Sequence, residues 1–199
     1  METRRHVATD EIPLGSGRTL LAIARASLAR ALRRPEPTWT HAPWLDKLGA
    51  TFVTLTQDGE LRGCIGTLSA HRPLAVDVRE NALAAAFTDP RFQRLRPDEL
   101  GGTCVEVSLL TEPEPLAVVR DERSAAALLR PGVDGVILTA GPHRATFLPQ
   151  VWESLREPAE FLRALKAKAG MSPWGWPADA RLMRYEVSKW REGEEEDSP

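Results

Sequence analysis

The stretch that decides the fold is residues 50–67, ATFVTLTQDGELRGCIGT, which holds two strand-like runs around a short turn. Residues 50–56 alternate between two faces, as a half-buried strand does, and residues 60–68 form the returning run. Asp58-Gly59 lies between them and is a favoured two-residue turn of β-hairpins. The stretch therefore predicts an antiparallel hairpin.

Helices are predicted on both sides of this hairpin. Ser16 is expected to cap the first helix, whose apolar residues recur every four positions until the break at Pro35. Pro73 suits the first turn of the second helix, which closes before Asp89-Pro90. The same patterns predict a strand at 104–111, a helix at 122–130, a hairpin at 135–139 and 144–148, a helix at 158–169 ending at Gly170, and a final strand through Met183, Tyr185 and Val187. Hairpins separated by helices are typical of an α+β fold with an antiparallel sheet.

Charge and composition disfavour several functional classes. Lys and Arg number 26 against 28 Asp and Glu, so no basic excess exists to neutralise a row of phosphates, although a local basic groove stays open. No apolar run is long enough for a membrane helix, and none at the start is typical of a signal peptide. Two cysteines, Cys64 and Cys104, do not make a disulfide framework, so reduced thiols and a cytoplasmic location are expected.

Metal and cofactor motifs are also missing from the sequence. The four histidines are widely separated, and no CxxC or HxxxH spacing occurs. Neither a Walker loop nor a dinucleotide-binding GxGxxG is present. We therefore expect neither a metal site nor a bound cofactor.

The candidate site is the segment LRGCIGT at residues 61–67. Gly63 and Gly66 weaken a strand, a cost usually tolerated where the backbone bulges or another group approaches closely. Cys64 lies between them, and a nearby cation such as Arg62 favours the reactive thiolate if the two are close in space. We predict Cys64 as a nucleophile or thiolate ligand; the alternative is a small, soft residue packed in a tight hairpin. The candidate bases, brought close only by folding, are His71, His143 and Glu106.

Further polar residues are candidates for ligand binding. Asn81, Asp89 and Arg91 cluster around the end of the second predicted helix, although Asp89 is also a normal turn residue. Glu106 lies on the polar face of its strand, which is either solvent-exposed or lines a cleft. The full set of candidate binding residues is Arg62, Gly63, Gly66, Asn81, Asp89, Arg91, Glu106 and Arg144. Residues 63–66 also match the GxxG letters of KH domains, but that loop joins two helices, whereas strand patterns flank this one.

Five segments in order resemble the AMMECR domain family, labelled AmmeMemoRadiSam system protein A in prokaryotes. They are LRGCIGT (61–67), ENALAAAFTDPRF (80–92), VEVSLL (105–110), LRPGVDGVIL (129–138) and RATFLPQVWE (144–153). The resemblance spans about residues 16–190. It implies an α+β fold with an antiparallel sheet, in a larger and a smaller lobe. It also implies association by gene context with a Memo-type protein and a radical SAM enzyme, but it supplies no reaction.

Three hypotheses follow for a chain organised as a loose lead-in (1–15), one domain (16–191) and an acidic, disordered tail (192–199). The first is an enzyme component that binds its substrate in a cleft at Cys64 and acts with the Memo-type and radical SAM proteins. The second is a non-catalytic binding or adaptor domain that uses the hairpin as a docking surface. The third is that LRGCIG is chiefly a folding element.

Overall fold

The computed structural model describes residues 12–117 and 119–194. Most of the predicted lead-in (1–11) and of the predicted tail (195–199) lies outside these residues. The chain divides into two compact units, a larger one of residues 1–112 and 188–199 and a smaller one of residues 113–187. No helix in the described ranges is both long and apolar enough to cross a membrane.

The larger unit is built on the predicted hairpin of β1 (Leu48–Gln57) and β2 (Glu60–Gly66), which pair antiparallel. Asp58 and Gly59 both have positive φ, 50° and 83°, as a two-residue hairpin turn of type I′ requires. A short strand, β3 (Arg72–Pro73), pairs with the start of β1. On the other side of β1 lies β4 (Thr103–Leu110), and β9 (Val187–Arg191) lies beyond β4. β2 is therefore an edge strand.

Two helices, α1 (Ser16–Ala31) and α2 (Leu74–Phe87), pack on one face of this sheet. The odd-numbered side chains of β1 and β4 point towards them, and Val53, Leu55, Val105 and Val107 are fully buried there. The even-numbered side chains of both strands point to the opposite face, here called the outer face. The alternation seen in the sequence therefore separates the core from the polar side of the sheet.

Two local predictions were wrong. Ser16 is the first helical residue and is buried, whereas Gly15 is the N-cap, with φ 80° and no side-chain cap bond. The final strand is in fact two, β8 (Arg181–Tyr185) and β9, which belong to different sheets.

Glu192 is the first residue of the predicted tail. It forms an ion pair with Arg25 and accepts a 2.8 Å hydrogen bond from the Val105 amide.

The smaller unit has a four-stranded sheet in the order β5-β8-β6-β7, with antiparallel pairing throughout. Its elements are β5 (Glu114–Pro115), α3 (Glu122–Ala127), β6 (Gly135–Ala140), β7 (His143–Phe147), α4 (Pro158–Lys168) and β8. Trp152 stacks on Phe161 in its core, with ring centroids 3.8 Å apart. Two antiparallel sheets with flanking helices confirm the predicted α+β class.

Candidate functional site

The backbone of Cys64 is held at the free edge of β2 by an ion pair. The Cys64 amide donates to Asp89 Oδ2 at 2.9 Å, and Arg91 Nη2 donates to the Cys64 carbonyl oxygen at 3.1 Å. Asp89 and Arg91 also pair with each other at 2.7 Å. An edge strand leaves its outward N–H and C=O groups unpaired, and this pair satisfies both, as a neighbouring strand would. Folding therefore brings two of the predicted binding residues, Asp89 and Arg91, into contact with the backbone of Cys64.

The ion pair stays charged over the ordinary pH range. The Asp89 side chain is only 1% exposed. The hydrogen bond from Arg91 holds the pKa of Asp89 far below its usual range, against the opposing effect of burial, and the amides of Cys64 and Arg91 lower it further. The same hydrogen bond raises the pKa of Arg91. The contact with the Cys64 backbone is therefore a charge-assisted one.

The two glycines of the motif are accounted for by close internal packing. A Cβ on Gly63 would overlap the backbone carbonyl oxygen of Ala85 in α2. A Cβ on Gly66 would overlap the ring of Phe52, its cross-strand partner in β1. The group that approaches each glycine closely thus belongs to the chain itself: helix α2 at Gly63 and the Phe52 ring of β1 at Gly66.

Arg62 is engaged with a neighbouring loop. It is the extra residue of a bulge, because Leu55 pairs with Gly63 while Thr56 pairs with Leu61. Its side chain is 14% exposed. It donates to the Gln93 carbonyl at 2.6 Å and contacts Glu99 at 3.4 Å.

The Cys64 sulfur belongs to a polar row that crosses the outer face. Thr54 Oγ1 donates to Cys64 Sγ at 3.3 Å. Thr54 pairs with Cys64 on one side and with Glu106 on the other, and Glu106 Oε2 lies 3.5 Å from Lys189 Nζ on β9. We call Cys64, Thr54, Glu106 and Lys189 the outer row. Glu106 and Cys64 lie on the same face, on strands two spacings (about 10 Å) apart. The Glu106 carboxylate contacts Lys189.

Each of the two histidines that we considered as a base has a backbone carbonyl oxygen as its partner. His71 is exposed, and its Nδ1 lies 2.9 Å from the Ser69 carbonyl oxygen. His143 lies in the smaller unit, where its Nδ1 is 2.9 Å from the Ala169 carbonyl oxygen. Arg144 is an exposed residue of β7 in that same unit.

Asn81 lies in a buried network centred on Asp77, which sequence reasoning missed. Asp77 is fully buried and its carboxylate accepts from the Thr51 amide, the Thr51 hydroxyl and Arg72 Nε, each at 2.7 Å. Asn81 Nδ2 donates to Asp77 at 2.9 Å and to the Thr51 carbonyl oxygen at 2.9 Å. Thr67, the last residue of the LRGCIGT segment, also donates to Asp77, at 2.9 Å. The network fixes the first turn of α2 to β1 and to the end of β2.

A protein-family model described as AMMECR1 matches residues 21–190. The chain belongs to the AMMECR1 family. The matched range includes the Cys64 hairpin, the Asp89–Arg91 pair and the Asp77 network, so the geometry described above is that of an AMMECR1 domain.

Relatives of this AMMECR1 chain match most of its length. A protein of Methanothermobacter thermautotrophicus is 38% identical over 186 residues, which cover 88% of this chain and 94% of the relative. A protein of Thermotoga maritima is 40% identical over 142 residues, covering 70% and 76%. The crystal structure of the uncharacterized protein PH0010 from Pyrococcus horikoshii has a TM-score of 0.76 at 29% identity and covers 89% of this chain and 91% of its own.

The thiols of the AMMECR1 domain are both free and partly exposed. Cys104 lies on the outer face of β4, where Arg191 Nε donates to its sulfur at 3.5 Å. Within the described ranges, no group of three or more His, Cys, Asp and Glu side chains is arranged to hold a metal ion. The outer row thus presents a thiol, a hydroxyl, a carboxylate and an ammonium group on one face of the sheet.

Proposed function

We propose that this AMMECR1-family chain is a binding component, which docks a Memo-type protein through its outer face and works in one system with a radical SAM enzyme. The environment of Cys64 carries the proposal. The sulfur has Thr54 as its hydrogen-bond partner, whereas the candidate bases of the larger unit, Glu106 and His71, contact Lys189 and the Ser69 carbonyl oxygen. A thiol without an adjacent base suits contact better than nucleophilic attack. The partners are taken from the family resemblance.

The outer row supports a polar, charge-dependent interface. The Lys189 side chain is 56% exposed and the Glu106 side chain is 19% exposed. Both helices of the larger unit pack on the opposite face, so they leave this row uncovered. An exposed ammonium group steers a partner that presents carboxylates, and such steering weakens as salt increases.

The experiment is a binding titration of the full chain against a purified Memo-type protein and a purified radical SAM enzyme from the same genome. Lys189→Glu should weaken binding of the Memo-type protein about tenfold, because it replaces attraction by repulsion. Arg181→Glu is the matched control, since it makes the same charge change at an exposed strand residue of the smaller unit. Failure of the Memo-type protein to bind at about 100 μM, or equal binding by wild type and Lys189→Glu, would refute the proposal.

A second candidate is an enzyme component that uses the Cys64 thiol. Two observations favour it: the Thr54 hydroxyl donates to the sulfur, and the Arg91 guanidinium is bound to the carbonyl oxygen of the same residue. A hydrogen bond and a nearby cation both stabilise a thiolate. Because Cys104 is the second free thiol, alkylation rates of Cys64→Ser and Cys104→Ser against pH separate the two sites. A reactive Cys64 reacts faster at neutral pH than Cys104, whereas a binding component shows no such difference.

Replacing the glycines does not distinguish these candidates. Gly63 and Gly66 are packed against Ala85 and Phe52, so bulky residues there alter the fold before they alter docking. Cys64→Ser is the cleaner change. It should abolish thiol chemistry while leaving binding of the Memo-type protein intact.

A further inference from the structure

A cavity of about 460 Å³ opens between α1 and α2 of the larger unit. Its third wall is the connection after α1, which contributes Trp39 and His41. The two helices pack on the face of the sheet that lies opposite the outer row. The cavity is therefore separate from the surface assigned to the Memo-type protein, and its size is that of pockets that hold small molecules.

The inner surface of the cavity is apolar and has room for a flat ring. Ile23 and Ala26 of α1 face Ala75 and Leu83 of α2 across it, and the two alanines leave space between the helices. Trp39 lines the same cavity with 39% of its surface exposed. An indole left uncovered beside an apolar floor is a stacking surface for another planar group.

The rim supplies hydrogen-bond donors and acceptors. His41 Nε2 lies 3.1 Å from Asp46 Oδ1, so a neutral imidazole donates there and keeps Nδ1 as an acceptor. Arg79 is held through Nε and Nη2 by Glu80, and Arg30 is held in the same way by Glu36. In each arginine Nη1 is engaged by no residue of the described ranges and remains a donor.

Charge balance decides the class of ligand. Each guanidinium at the rim already has a carboxylate partner, and His41 is paired with Asp46. The rim has no surplus positive charge for a phosphate or a carboxylate. It offers both donors and acceptors beside an aromatic plane, which match the edges of a nitrogen heterocycle.

We propose that this cavity binds a planar nitrogen heterocycle of purine-nucleoside size, stacked on Trp39 and hydrogen-bonded at its edge by His41 and Arg79. The site needs no contribution from Cys64 and does not depend on the proposed docking function.

The test is calorimetric titration of the full chain with adenosine and guanosine, and with indole as a ring of similar shape that lacks their acceptors. At least one nucleoside should bind with a dissociation constant below about 1 mM, and indole should bind at least tenfold more weakly. Trp39→Ala should weaken nucleoside binding about tenfold by removing the stacking surface. Trp174→Ala is the matched control, because Trp174 is 72% exposed and lies in the smaller unit, and it should bind as wild type.

A filling substitution, Ala75→Leu, should abolish binding by occupying the cavity, with circular dichroism used to show that the variant is folded. If Ala75→Leu does not fold, Trp39→Ala at the exposed rim still decides the matter. The proposal is overturned if neither nucleoside binds at 5 mM (roughly five times the expected limit), if Trp39→Ala binds as tightly as wild type, or if indole binds as well as the nucleosides.

Discussion

Gly63→Ala tests whether the motif glycines serve internal packing. The new Cβ would overlap the Ala85 carbonyl oxygen and lie 3.0 Å from its carbonyl carbon, where carbon atoms normally keep about 3.5–4.0 Å. Both obstructing atoms are backbone, so β2 must move away from α2. Overpacking of this kind costs about 1–3 kcal/mol, and the shift also stretches the hydrogen bond from Cys64 to Asp89. We expect a net loss of about 3 kcal/mol in the free energy of unfolding.

Gly66→Ala should cost less, about 1–2 kcal/mol, because the three atoms nearest to the new Cβ belong to the Phe52 ring, which can rotate. Combining it with Phe52→Leu should recover part of that loss, since the obstructing ring is then gone. Urea unfolding followed by circular dichroism measures all variants. Gly101→Ala and Gly102→Ala are matched controls, because a Cβ at either site meets nothing within 4 Å. If Gly63→Ala unfolds at the same urea concentration as these controls, the packing explanation is wrong.

Three further predictions concern buried polar groups. Asp89→Asn should lose about 2–3 kcal/mol at pH 7, because it breaks a buried charge-assisted contact with Arg91. The difference between this variant and wild type in the free energy of unfolding should shrink as pH falls below about 4, because a carboxylate whose pKa is lowered by folding stabilises the fold only while it is ionised. Equal differences at pH 7 and pH 3 would contradict this. Burial raises the pKa of Tyr185 to about 12, so the folded state keeps a proton that the unfolded state loses above about 10. Stability should therefore fall as pH rises through this window, and Tyr185→Phe should lack that part of the decline in urea midpoint. Asp77→Ala should lose about 3 kcal/mol or more in urea unfolding, because it leaves the buried Thr51 amide without an acceptor; a loss below about 1 kcal/mol would contradict the role of the network.

The parts of the fold that are determined by residues close together in the sequence were predictable from it. The hairpin was found because Asp58-Gly59 adopts a turn that few other pairs favour, and the alternation on both sides is local. The last two strands were not predictable as separate strands. The alternation of apolar and polar residues continues from β8 into β9, although the two strands belong to different sheets. Side-chain pattern records which residues are buried, but it does not record which sheet buries them.

The candidate site shows the same division. LRGCIG was identifiable because two glycines in a strand are unusual, but the partners that explain them are distant in sequence. Asp89 is 25 positions from Cys64, and before a proline it has the pattern of an ordinary turn residue. Asp77 was missed because an acidic residue in the first turn of a helix is common, and only tertiary structure places it opposite the Thr51 amide.

The hydrogen bonds that Asp89 and Arg91 make with residue 64 do not explain why that residue is a cysteine. Both contacts use the backbone N–H and C=O, which every residue except proline provides. The side chain makes a separate contact, with Thr54 on the outer face. Cys64→Ser should therefore keep the fold, at a cost of about 1 kcal/mol or less in urea unfolding, because serine can replace the sulfur as an acceptor from Thr54. If the variant is this stable and still loses function, the loss is due to the missing thiol. A loss of several kcal/mol in the free energy of unfolding would instead mean that the sulfur is part of the packing.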